Sequence, residues 1–127
     1  MKILETWLLK ELLDNEEHYR TSLHAFAPGE EIFAAGDPGD YLAVLLRGAV
    51  EIRKGAKLIS MVEPGSVFGE MGLIDGQPRM AAAVATAHSR IAKIGERQFM
   101  AMLESTPLFA LSIMRLLSER IRQQVDT

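Results

Sequence analysis

Between about residue 21 and residue 95, glycine and proline interrupt the chain so often that no long helix fits. The breaks fall at Pro28-Gly29, Gly36-Asp37-Pro38-Gly39, Gly48, Gly55, Pro64-Gly65, Gly69, Gly72, Gly76 and Pro78. Proline blocks a helix interior, and glycine supplies the left-handed turns that join short strands. Between the breaks lie apolar stretches of strand length: Ile32-Phe33, Tyr41 to Leu46, Val50 to Ile52, Leu58 to Val62, Ala82 to Ala85 and Ile91 to Ile94. Short strands at regular spacing with turn signals between them predict an all-β roll, barrel or jelly roll.

The flanks have a different texture. Ile3, Leu4, Trp7, Leu8, Leu12 and Leu13 share one helical face, so residues 1–20 read as an N-terminal helix ending near Asp14-Asn15. Residues 96–127 read as C-terminal helices. Glu96 to Leu103 forms a short one with Phe99, Met102 and Leu103 inward. Ser105-Thr106-Pro107 begins another, proline suiting a first helical turn and threonine a cap. Leu111, Met114, Leu117, Ile121 and Val125 then recur at three and four residues, a stripe assigned here to the core, with Ile121 and Val125 late enough to project. The expected organisation is one domain: helix 1–20, β-roll 21–95, helices 96–127.

Composition narrows the function. A chain of 127 residues with 48% hydrophobic residues has material for one core. A net charge of −3 argues against a nucleic-acid-binding surface. Without cysteine, disulfides, thiolate zinc and iron–sulfur clusters are excluded. No apolar run reaches membrane length, and the N-terminus carries an early acid and no small-residue cleavage site, so a cytoplasmic location is expected. His18, His24 and His88 are scattered without metal-ligand spacing, and no serine or threonine has a matching histidine–acid pair. No enzyme and no metal site is expected.

The chemistry concentrates in Phe68-Gly69-Glu70-Met71-Gly72-Leu73 and the following Gln77-Pro78-Arg79-Met80-Ala81. Gly69 permits close backbone approach, and Glu70 to Leu73 fits one helical turn whose free N–H groups favour an anion. Arg79 follows one short loop later, with paired donors suited to a phosphate. Glu70 suits sugar hydroxyls instead. A ligand with one phosphate and a neighbouring hydroxyl would engage both residues.

These segments resemble the phosphate-binding cassette of the cyclic-nucleotide-binding domains, F-G-E-x-A/G-L followed by P-R-x-A. That family occurs in catabolite-activator-type regulators, protein kinase A regulatory subunits and cyclic-nucleotide-gated channels. Phe26-Ala27-Pro28-Gly29-Glu30-Glu31-Ile32-Phe33, Gly36 to Asp40, Gly48 to Ile52 and Pro64 to Phe68 resemble the family's earlier turns and strands, so the likeness runs from about residue 21 to 122. It implies an eight-stranded β-roll or jelly roll with an N-terminal helix and two C-terminal helices. It further implies that Arg79 pairs with the cyclic phosphate and Glu70 accepts the ribose 2′-hydroxyl. Cassette positions Gly69, Glu70, Met71, Met80 and Ala81 would complete the cage, and Ile52, Ile59 and Ser60 would line the base pocket. Channel-type members lay an arginine of the last helix over the purine, and counting without a gap from Arg79 through Pro107 gives Arg120.

Met80 departs from the family's small residue after the arginine. A hydroxyl there favours guanine, so its absence favours cAMP over cGMP, while the length of methionine threatens to intrude on the base. Ala83 stands where a branched residue is usual, with no chemical consequence. The implied function is a cyclic-nucleotide receptor in which the C-terminal helix moves on binding. The alternative is a scaffold of the same fold that binds no nucleotide, its Arg79 a structural partner of Glu70, docking a protein through the Trp7 helix or the terminal helix. Regulators of the catabolite-activator type need a helix-turn-helix domain after the last helix, where only Gln123 to Thr127 stand here, so no DNA-binding domain is expected in these residues, and the implied partners are a homodimer mate or a larger effector.

Overall fold

The computed structural model describes residues 22–126, with side chains described to residue 123; the helix expected over 1–20 lies outside the described residues. Within them the chain runs β1 (Leu23–Phe26), β2 (Glu31–Phe33), β3 (Tyr41–Arg47), β4 (Val50–Lys54), β5 (Lys57–Val62), β6 (Val67–Phe68), α1 (Glu70–Asp75), β7 (Ala82–Ala85), β8 (Ser89–Gly95), α2 (Glu96–Ser105) and α3 (Pro107–Asp126). The strands form two four-stranded antiparallel sheets, ordered β1-β8-β3-β6 and β2-β7-β4-β5. This is the expected eight-stranded roll. β1 and the two-residue β6 fall outside the apolar stretches of the sequence, β1 because it carries His24 among its four residues and β6 because it adjoins the Gly69 turn.

Strand β3 explains how one roll holds two cores. Its residues Leu42 to Leu46 are all buried, although successive side chains of a strand point to opposite faces. Leu42, Val44 and Leu46 pack toward the helices with Ala92, Ile94, Phe99, Phe109, Ile113 and Leu116. Ala43 and Leu45 pack between the sheets with Phe33, Val50, Phe68, Ala83 and Ile91. A strand covered on both faces loses the alternation of polar and apolar residues, hence the unbroken run in the sequence. Ala83, where a branched residue was expected, is fully buried between Phe33 and Ile52 in the sheet register.

The terminal helices pack through Phe99 and Phe109, whose rings meet edge-on at 5.7 Å. Phe99, Met102 and Leu103 face inward on α2 as expected. On α3 the expected stripe is corrected. The buried face is Phe109, Ser112, Ile113 and Leu116, with Leu117 beside it, while Leu111, Met114 and Ile121 point outward. The helix is apolar around much of its girth, so its periodicity admitted two inward faces. Phe109, fully buried against Phe99, selects the observed one.

Candidate nucleotide-binding site

Between Phe68 and Arg79 the backbone turns three times, each turn with a local cause. Gly69 adopts the left-handed conformation (φ 74°) and caps the six-residue α1. That conformation favours glycine, and a Cβ there would lie 2.7 Å from Nη1 of Arg79 and press on the guanidinium. Gly76 ends α1, its N–H donating to the Gly72 carbonyl at 2.9 Å, and the Gln77 N–H donates to the Asp75 carboxylate at 3.0 Å. The chain then reaches Pro78 and Arg79.

The backbone of Arg79 is fixed by the turn between β2 and β3. Its N–H donates to the Asp37 carbonyl and its carbonyl accepts from the Gly36 N–H, both at 2.8 Å. That turn is itself closed by the Ala34 N–H donating to Asp37 Oδ2 at 2.9 Å. Beside it, Gly39 and Gly72 meet backbone to backbone: a Cβ on Gly39 would lie 2.7 Å from the Gly72 Cα. The cassette is thus docked on a second, distant turn.

The Arg79 side chain is 6% exposed. Nη1 donates to the Gly69 carbonyl and Nη2 to the Tyr41 carbonyl. The guanidinium carbon lies 4.2 Å from the Phe33 ring centre and 4.6 Å from that of Tyr41. Burial pulls the arginine below its usual pKa, opposed by Tyr41, Asp40 and Asp37. Arginine nevertheless stays charged in proteins. Nη1 and Nη2 each bond a neutral carbonyl, and Nε is buried without a partner. Among the described residues no carboxylate forms an ion pair with it. A buried cation held this way has no carboxylate in direct contact, a place that an anionic ligand can take.

Glu70 has a different partner from the one considered in the sequence. It is fully buried and pairs through Oε1 with Arg120 of α3, not with Arg79, while Oε2 has no partner. Arg120 also donates from Nη2 to the Val67 carbonyl at 2.8 Å. This guanidinium, expected over a base, is tied to the floor of the cassette.

A cavity of about 770 Å³ opens beside these groups. Gly69, Met71, Arg79, Met80, Ala81, Ile52, Ile59, Ser60 and Arg120 all lie in its wall, so the structure brings together every sequence-predicted ligand position except Glu70. Met80 is 74% exposed and belongs to the cavity wall. The sequence reading missed Phe33 and Tyr41 as supports of Arg79, and Met61, Glu119 and Gln123 as parts of the wall. Phe33 and Tyr41 looked like strand core, and no local pattern marks them as a seat for an arginine. Among the described residues no cluster of three metal-ligating side chains occurs, and no single helix is long and apolar enough to cross a membrane.

A cAMP-dependent protein kinase regulatory subunit from Hypocrea atroviridis is 35% identical over 78 residues, covering 61% of this chain and 17% of that subunit. A cyclic AMP receptor protein from Thermus thermophilus is 29% identical over 103 residues, 77% of this chain and 48% of the relative. The crystal structure of a Thermus thermophilus catabolite activator protein superposes with a TM-score of 0.76 at 27% identity, covering 91% of this chain and 59% of that one. The chain therefore spans about half the length of its bacterial relatives and less of the kinase subunit. Residues 23–106 match the family model of the cyclic nucleotide-binding domain, and the chain belongs to that family.

Proposed function

We propose that this chain is a cyclic-nucleotide receptor domain, without enzymatic activity of its own, that prefers cAMP to cGMP and signals by moving α3. The observation that carries this reading is Arg79: a buried guanidinium in the wall of a cavity of about 770 Å³, bonded to neutral carbonyls and with no carboxylate in direct contact. The cyclic phosphate takes that place, with backbone around Gly69, Met80 and Ala81 beside it. Ile52, Ile59 and Ser60 receive the base, and Glu70 accepts the ribose 2′-hydroxyl. The thioether of Met80 offers guanine no hydroxyl, which supports adenine. The names of the relatives, a cyclic AMP receptor and a cAMP-dependent kinase subunit, point the same way.

The outward side of α3 supports a partner as well. Leu111, Met114, Ser118 and Ile121 are exposed at 3-4-3 spacing, opposite the face that packs on the roll. Such spacing is the seam of a two-helix coiled coil, so the proposed partner is a second copy of this chain.

Isothermal titration calorimetry of unfolded and refolded protein, which removes carried-over ligand, tests the receptor reading. Binding of cAMP at micromolar Kd or tighter, with cGMP weaker, supports it. No heat with either nucleotide in folded protein overturns it in favour of the scaffold.

A further inference from the structure

The carboxylate of Glu70 is fully buried and absent from the cavity wall, although Gly69 and Met71 on either side of it are present there. Arg120 holds its Oε1, and Arg120 does line the cavity. The arginine is anchored twice, to Glu70 and to the Val67 carbonyl, and its side chain is 42% exposed. Arg120 thus stands between Glu70 and the space a ligand enters.

We infer that Arg120 is a specificity-determining residue that competes with the ligand's ribose 2′-hydroxyl for Glu70. The inference rests on the receptor reading and adds a regulated step to it. A neutral hydroxyl that reaches the carboxylate must displace a charge-assisted bond, which is the stronger kind. The net value of the 2′-hydroxyl is therefore small while Arg120 is in place. The exchange also loosens the last turns of α3, because the bond of Arg120 to Glu70 is one of the polar ties between that end of the helix and the cassette. Ligand chemistry at the ribose is converted into release of a helix end, and the coupling is reciprocal: whatever pulls α3 away exposes Glu70 and raises affinity for a 2′-hydroxyl.

The test compares cAMP with 2′-deoxy-cAMP, which keeps the phosphate and base and lacks only the competing group. Titrations are run on wild type and on Arg120→Gln, which removes the charge and keeps donors for the Val67 carbonyl. The preference for cAMP over 2′-deoxy-cAMP is expected to grow by about tenfold in Arg120→Gln, a normal size for a coupling between two groups. A preference unchanged or reduced in the variant overturns the competition. A lid that merely stacks on the base changes both affinities together and leaves the ratio alone. A wild-type measurement stands independently of the variant's folding: hydrogen exchange of the amides after residue 120 quickens with cAMP and not with 2′-deoxy-cAMP. Equal exchange with both bound ligands contradicts the release. If neither nucleotide binds wild type or variant, the receptor reading itself fails.

Discussion

The guanidinium carbon of Arg79 stands 4.2 Å from the centre of the Phe33 ring, and that ring in turn meets Tyr41 edge-on at 6.3 Å. The two aromatic side chains form a corner in which the arginine is held without an acid. Ring faces attract a cation, and the attraction grows as water is excluded. The site is preorganised for an anion because its positive charge is oriented by π-faces and carbonyls, neither of which neutralises it.

Removing one face of that corner separates orientation from charge. Phe33→Leu keeps the apolar volume and loses a cation–π contact of about 0.5–2 kcal/mol. The expected result is cAMP binding weakened by about twofold to thirtyfold, read by calorimetry. Unchanged affinity would mean that the hydrogen bonds to Gly69 and Tyr41 orient Arg79 alone.

The glycine contact under the cassette makes a stability prediction. A Cβ on Gly72 would lie 2.8 Å from the Gly39 Cα and 3.2 Å from the Gln77 carbonyl oxygen, and neither neighbour is a flexible side-chain end. Gly72→Ala should cost about 1–3 kcal/mol, the usual range for overpacking. The denaturation midpoint falls while the slope stays constant. A midpoint equal to wild type would show that α1 shifts freely against the β2–β3 turn.

The exposed side of α3 predicts self-association. Met114 and Ile121 are 60% and 62% exposed, at positions that core packing does not use. Charges at the seam of a coiled coil disfavour pairing. Sedimentation of wild type should give a dimer and Met114→Glu/Ile121→Glu a monomer of unchanged circular dichroism. A monomeric wild type at high protein concentration contradicts the second-copy assignment.

His24 on β1 supplies a pH dependence. Burial and then the charge of Lys93 hold its pKa below the ordinary 6.5. The folded state therefore resists protonation that the unfolded state accepts. The penalty is absent above about pH 6.5 and grows as pH falls through the window between that value and the lowered folded pKa. His24→Gln should remove this part of the acid destabilisation, measured as denaturation midpoints across that range. An identical pH profile in the variant would place the effect elsewhere.

How much of this was legible depends on how local each signal is. The cassette was readable because Phe68-Gly69-Glu70 and Pro78-Arg79 lie within a few residues of one another, close enough for the resemblance to the family's motif to show. The short strands were readable from the punctuation and the apolar stretches between, and the eight-stranded roll from the family resemblance. The face of α3 was not, since Leu111 and Ile113 are equally apolar and only the meeting of Phe99 with Phe109 decides between them. Glu70 and Arg120 lie fifty positions apart, and nothing in either neighbourhood announces their pairing. The same holds for Phe33 and Arg79, brought together by the pairing of β2 with β7 and the turn that follows.

The central claim is that Arg79 receives the cyclic phosphate, and it is tested most directly by titrating cAMP into wild type and Arg79→Ala side by side. Removing one partner of a buried charge pair costs about 2–5 kcal/mol. The account predicts an affinity loss of roughly thirtyfold to several thousandfold in a variant that remains folded. Wild-type affinity in folded Arg79→Ala would contradict it, because the phosphate would then be bound by something other than this arginine.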